Sequence, residues 1–105
     1  MKILVVCGAG ASSAFVAHRM RVTGTARGLT LTVVAGSESD LPGSLRTVDV
    51  LLIGPHLAPR FDRIRAQAKK LGVGVALLPE EVFAARDGDL AVNLAVAAER
   101  ERAWV

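Results

Sequence analysis

The chain has 105 residues, with 13 Lys and Arg against 10 Asp and Glu, a net charge of +3, 51% apolar residues and 4% aromatic ones. That gives one domain over residues 1–105 with one small core, and it is too apolar for a disordered chain. No apolar run approaches a membrane span, and the single cysteine can build neither an internal disulfide nor a thiolate metal site. A reducing, cytoplasmic setting with no metal and no cofactor is expected.

Lys2 to Val6 is short, β-branched and without polar alternation, which predicts a buried strand. Lys2 leads straight into it, so no secretory leader is expected. Cys7-Gly8-Ala9-Gly10-Ala11-Ser12-Ser13 follows. A loop of such small residues between strand and helix aims backbone N–H groups at one point, and the helix start adds partial positive charge. Gly8, Ala9, Gly10, Ala11, Ser12 and Ser13 are therefore read as a phosphate-binding loop. Cys7 at its mouth is read as a thiol of lowered pKa that accepts or attacks a phosphoryl group. The competing reading is a small buried residue at a strand end. Because Cys7 follows the last strand residue and leads directly into the glycines, the first reading is preferred.

A helix is predicted from about Ser12 to Arg27, with Val16, Met20 and Thr23, beside Phe15, on its inner face and Gly28 as its stop. Leu29 to Ala35 reads as a second strand. Gly36 to Asp40 is a polar loop, and Leu41 to Thr47 a short helix or irregular connection. Asp49 to Ile53 is the third strand and ends at Gly54-Pro55-His56. A helix from Ala58 or Pro59 to Leu71 carries Phe61, Ile64, Ala68 and Leu71 at helical spacing, and Gly72 ends it. Val73 to Leu77 is the fourth strand and Pro79 to Phe83 a turn or a helical turn. Asp87 or Asp89 caps a last helix that carries Leu90, Leu94, Ala97 and Ala98 and runs into Glu99-Arg100-Glu101-Arg102.

This alternation predicts an α/β fold: an open four-stranded parallel sheet of order 2-1-3-4 with helices on both faces. Ligands in such sheets bind beyond the carboxyl ends of the strands at the point where the order reverses, here between strands 1 and 3. Cys7 and Gly54-Pro55-His56 meet in that crevice. His56 is a donor to the phosphate from behind the loop, a contact for a partner, or a half-exposed residue opening a helix, and the last reading carries slightly more weight. His18 is expected on a helix surface. Asp49 starts its strand, far from Cys7, and is no acid or base for it. Glu80 and Glu81 follow the fourth strand and either rim the site or are simply solvated, and the second reading carries more weight. Basic residues gather at Arg60, Arg63, Arg65, Lys69 and Lys70, with Arg19, Arg21 and Arg27 earlier. They are read as solvated helix faces, and no aromatics are interleaved for nucleic-acid stacking.

The Cys7-Gly-Ala-Gly-Ala-Ser-Ser loop, then Phe15-Val16 and Met20, then Asp49-Val-Leu-Leu-Ile-Gly-Pro-His56, resembles the enzyme IIB subunit of the sugar phosphotransferase system (PTS), lactose/cellobiose branch. The resemblance covers essentially the whole chain. It implies a phosphotransferase in which a IIA phosphohistidine donates its phosphoryl group to Cys7. From there the group passes to a sugar, a di- or oligosaccharide such as cellobiose, held by a membrane IIC transporter. The chain alone is expected to be monomeric. Departures from the family pattern fall at Ala11, Ala14, His56 and Phe83 and leave the phosphoryl chemistry intact.

Two other classes compete. A low-molecular-weight phosphatase also places a Cys loop after strand 1, but it needs an arginine six residues on, where this chain has Ser13. A thiol-relay arsenate reductase needs further cysteines. A phosphate- or nucleotide-binding module would use Gly8-Ala9-Gly10 as part of a dinucleotide fingerprint, but the third glycine falls at Ser13.

Overall fold

The computed structural model describes residues 1–7, 10–41 and 43–102, with the backbone alone at residues 10 and 11. Four strands, β1 (Lys2–Val6), β2 (Thr32–Gly36), β3 (Val50–Ile53) and β4 (Gly74–Leu77), form one parallel sheet of order β2-β1-β3-β4. β1 pairs with β2 from Lys2–Thr32 to Val6–Gly36 and with β3 from Ile3–Val50 to Val6–Ile53. The reversal of strand order therefore lies at β1, as predicted.

The apolar runs of β1 and β3 are buried on both sides, which is why they show no polar alternation. Ile3, Val5 and Cys7, with Val50 and Leu52, face α1 (Gly10–Ala26), α3 (Glu81–Ala84) and α4 (Asp89–Arg102). Leu4, Val6, Leu51 and Ile53 face α2 (Phe61–Lys70) and the connecting turns through Leu45, Leu57, Ile64 and Ala68. Each fully buried Val, Leu or Ile contributes about 1.5–3 kcal/mol of transfer free energy, so both faces matter to stability.

Several expected boundaries shift for local reasons. The second strand starts at Thr32 rather than Leu29 because the end of α1 uses Leu29: its N–H bonds to the Gly24 carbonyl at 2.8 Å, and that of Gly28 to Thr25 at 3.1 Å. This closure needs Gly28 at φ 71°. Gly72 closes α2 in the same way, also at φ 71°. Tight 3₁₀ turns occupy Glu38–Asp40, Gly43–Thr47 and Pro55–Arg60, the last ahead of α2, which begins at Phe61. Pro42 lies outside the described residues.

The inner helix faces also differ from expectation at particular residues. Val16, Met20 and Thr23 are buried, but Phe15 points outward. Ala17 fills the place beside Val16 instead. Leu71 is exposed because the chain already turns there toward Gly72. On α4 the buried stripe is Ala91, Val92, Ala95 and Ala98, while Ala97 is exposed and Leu90 and Leu94 are half-buried. Small residues let this helix lie close on the sheet, and a side chain at Gly74 would run into the Ala98 carbonyl. Gly88 approaches α1 as closely: a Cβ there would sit 2.6 Å from the Arg19 carbonyl oxygen, and the Gly88 N–H reaches Thr23 Oγ1 at 2.9 Å.

Candidate functional site

Cys7 directly follows β1 and continues its side-chain alternation, so its thiol lies on the α1 side of the sheet, fully buried. On its other flank is Gly54, the residue after β3. The Gly54 N–H bonds to the Val6 carbonyl at 2.8 Å. A Cβ built on Gly54 would lie 3.0 Å from Cys7 Sγ and 3.1 Å from both Cys7 Cα and Cβ. A side chain there fits only if Cys7 gives way by a few tenths of an ångström. Pro55 then opens the 3₁₀ turn that carries the chain away. Of the predicted meeting of Cys7 with Gly54-Pro55-His56, the contact with Gly54 is present.

Gly8 and Ala9, predicted to belong to the phosphate loop, lie outside the described residues. Gly10, Ala11, Ser12 and Ser13 form the first turn of α1, which begins two residues earlier than expected. The leading N–H groups and the partial positive charge of a helix start collect there. Ser12 donates a hydrogen bond to the Cys7 sulfur. Ser13 is fully buried, and its hydroxyl donates to the Gly36 carbonyl at 3.3 Å, tying the start of α1 to the end of β2. Its hydroxyl thus braces the loop.

The expected direction of the Cys7 pKa is corrected. Burial pushes the thiol above its ordinary value, and the Ser12 hydrogen bond offsets only part of that. Loss of water outweighs the stabilising dipoles because the thiolate, not the thiol, needs solvation.

The end of β2 is fixed by its own turn. Asp40 accepts the Ser37 N–H at 2.8 Å, and Glu38 pairs with Arg60 at 2.9 Å, joining the turns that follow β2 and β3. His56 is exposed on its turn, and His18 is exposed on α1. Glu80 and Glu81 are exposed. Asp49 lies at the opposite end of the sheet, where it accepts the Lys2 N–H at 2.7 Å and pairs with Arg102 at 2.8 Å. These two donors, the Lys2 N–H first, hold its carboxyl below the usual range. The structural part of Ser13 escaped the sequence reading, because a serine in a small-residue loop looks like any other phosphate donor. Among the described residues no cluster of three or more His, Cys, Asp or Glu could hold a metal, and no helix is long and apolar enough to cross a membrane.

A family model described as the lactose/cellobiose-specific IIB subunit of the PTS system matches residues 2–85. The fold is similar to the lactose-specific IIB component domain of the phosphoenolpyruvate:carbohydrate PTS from Streptococcus pneumoniae, with a TM-score of 0.73 at 13% identity, covering 99% of this chain and 92% of that one. It is also similar to the solution structure of the cellobiose-specific phosphotransferase IIB component protein from Borrelia burgdorferi, with a TM-score of 0.76 at 24% identity, covering 97% of this chain and 94% of that one. No curated protein matches the chain.

Proposed function

The chain belongs to the lactose/cellobiose-specific IIB family of the sugar phosphotransferase system, and on that premise we propose that Cys7 is its phosphoryl carrier. Family membership supports a phosphotransferase role in sugar uptake. The observation that carries the residue assignment is the position of the chain's only cysteine, between the close-packed Gly54 and the first turn of α1.

In this reading a IIA phosphohistidine is the donor. The Cys7 sulfur attacks phosphorus, the P–N bond breaks as the P–S bond forms, and the leaving imidazole takes the thiol proton. The Ser12 hydroxyl, already on the sulfur, stabilises the thiolate as that proton leaves. Burial keeps the resting thiol neutral, so the nucleophile forms only where a donor supplies the proton acceptor. N–H groups from Gly8 to Ser13 then hold the phosphoryl oxygens. A hydroxyl of a di- or oligosaccharide such as cellobiose, bound to a membrane IIC partner, next attacks phosphorus. The P–S bond breaks, Cys7 leaves as thiolate, and a base of the partner takes the hydroxyl proton.

A phosphatase reading has less support. The position six residues after Cys7 is Ser13, whose buried hydroxyl is bonded to Gly36, so no guanidinium clamps the transferring group there. The distinguishing experiment offers the protein an aryl phosphate and, separately, follows phosphocysteine after removal of a phosphohistidine donor. Negligible aryl phosphate turnover with persistent phosphocysteine is expected. Rapid hydrolysis abolished in Cys7→Ser would establish a phosphatase instead.

A further inference from the structure

The chain from Leu29 to Gly36 has no charged residue and no proline, and it is rich in leucine, threonine and valine. Such a run pairs readily with another strand where its edge is open. The fold leaves it at the rim of the sheet, because β2 is the outermost strand beside β1. Thr32 gives its N–H to the Met1 carbonyl at 2.9 Å. Backbone direction alternates along a strand, so the N–H and C=O groups of Val33 and Ala35 point away from β1. The Val33 side chain is buried under α1, and that of Val34, alternating to the other face, is 39% exposed. Arg21 crosses from α1 to this edge and gives two donors to the Val33 carbonyl oxygen, Nε at 3.0 Å and Nη2 beside it. A carbonyl oxygen has two lone pairs, and the guanidinium fork fills both. The N–H of an added strand would find no acceptor there. It would also have to strip water from a charge, since Arg21 is exposed.

We propose that Arg21 guards this edge, keeping β2 from pairing with β2 of a second copy of this chain. A second copy fits for a reason of symmetry. A twofold axis beside β2 sets the two identical runs antiparallel and joins two four-stranded sheets into one, and no like charges meet along Leu29–Gly36. The copies would exchange hydrogen bonds through Val33 and Ala35 and cover Val34. Native sheets commonly blunt such an edge with a charge on the edge strand itself. Here β2 carries none, and α1 supplies it. The proposal is independent of the carrier reading above.

The test compares wild type, Arg21→Met and Arg21→Gln by sedimentation velocity over a range of protein concentrations, with circular dichroism as the check on folding. Methionine keeps an apolar stem on α1 and removes both the donors and the charge. Wild type should stay at monomer mass. Arg21→Met should rise with concentration toward about twice that mass. Amide exchange at Val33 and Ala35 should slow about tenfold or more in the associated form. Arg21→Gln, with one neutral donor group, should associate more weakly, and it keeps the inference testable if Arg21→Met unfolds. Adding Val34→Lys to either variant should restore the monomer, because a charge again stands beside the edge. Folded variants that remain monomeric at the highest concentration would overturn the inference. So would association that persists with Val34→Lys or leaves the Val33 and Ala35 amides unprotected, since another face or misfolding would then be responsible. A wild type that already pairs through these amides would also overturn it, because the edge would be open despite Arg21.

Discussion

Replacing Gly54 with alanine places one methyl group against Cys7. Gly54 has φ −66° and ψ 155°, a conformation open to any residue, so alanine carries no backbone strain there. It even gains about 0.4–1 kcal/mol from a less flexible unfolded chain. Against this stand three contacts of 3.0, 3.1 and 3.1 Å to Cys7 Sγ, Cα and Cβ. Ordinary carbon contacts lie at about 3.5–4.0 Å, so each is short by roughly half an ångström. Retreat of Cys7 is resisted by the Gly54 N–H bond to Val6, which holds the two segments together, and by the packing of α1 on the thiol. Overpacking of this kind costs about 1–3 kcal/mol, which at the middle of both ranges leaves a net loss of about 1.3 kcal/mol. Urea unfolding should show a lower midpoint at unchanged slope, and the melting temperature should fall by roughly 5–10 °C. Because the new methyl touches Sγ itself, phosphoryl transfer should slow about tenfold or more, the scale of a displacement of reacting atoms by a fraction of an ångström. The double variant Cys7→Gly/Gly54→Ala, which removes two of the three clashing atoms, should regain most of the stability. Unchanged stability and unchanged transfer in Gly54→Ala would refute the close packing of this residue on Cys7.

Alkylation of Cys7 by iodoacetamide should be slow at neutral pH and accelerate only above the range of an ordinary thiol, since burial raises its pKa. For stability the sign follows from the same shift: the native state holds its proton longer than the unfolded chain. Stability is therefore full below the unfolded value of about 8.5 and declines as pH rises toward the folded value, whereas Cys7→Ala should lack that decline. Gly88→Ala should cost about 3 kcal/mol in chemical denaturation, because its Cβ would meet the Arg19 carbonyl oxygen at 2.6 Å and neither backbone can yield. Asp49→Ala should cost only about 0.5–1 kcal/mol, since its pair with Arg102 is partly solvated. That contribution is present above the unfolded carboxyl value of about 3.9 and should vanish as pH falls through the lower folded value.

The sheet was readable from sequence because β1 and β3 are buried on both faces, which leaves only apolar residues in them after Lys2 at the start of β1. The crevice was readable for the same reason: strand order placed Cys7 beside Gly54 before any side chain was seen. The helix faces were harder. On α4 the alanines, not the leucines, lie against the sheet, because close approach at Gly74 selects small residues over large ones. Phe15 looked like core by composition and faces outward. The signal available was Arg19 four residues later, at the spacing for stacking on one helix face. The Cys7 pKa was misjudged because a loop and a helix start are visible in sequence, while the depth of the thiol depends on residues from β1, β3 and α1 together.

Transfer of labelled phosphate from a phosphohistidine-bearing IIA protein, with the acceptor residue mapped by mass spectrometry, tests the assignment of Cys7 most directly. One phosphoryl group should appear on Cys7, be absent from Cys7→Ala, and discharge when a matching sugar and membrane transporter are added. Label on His18 or His56, or undiminished labelling of Cys7→Ala, would contradict it.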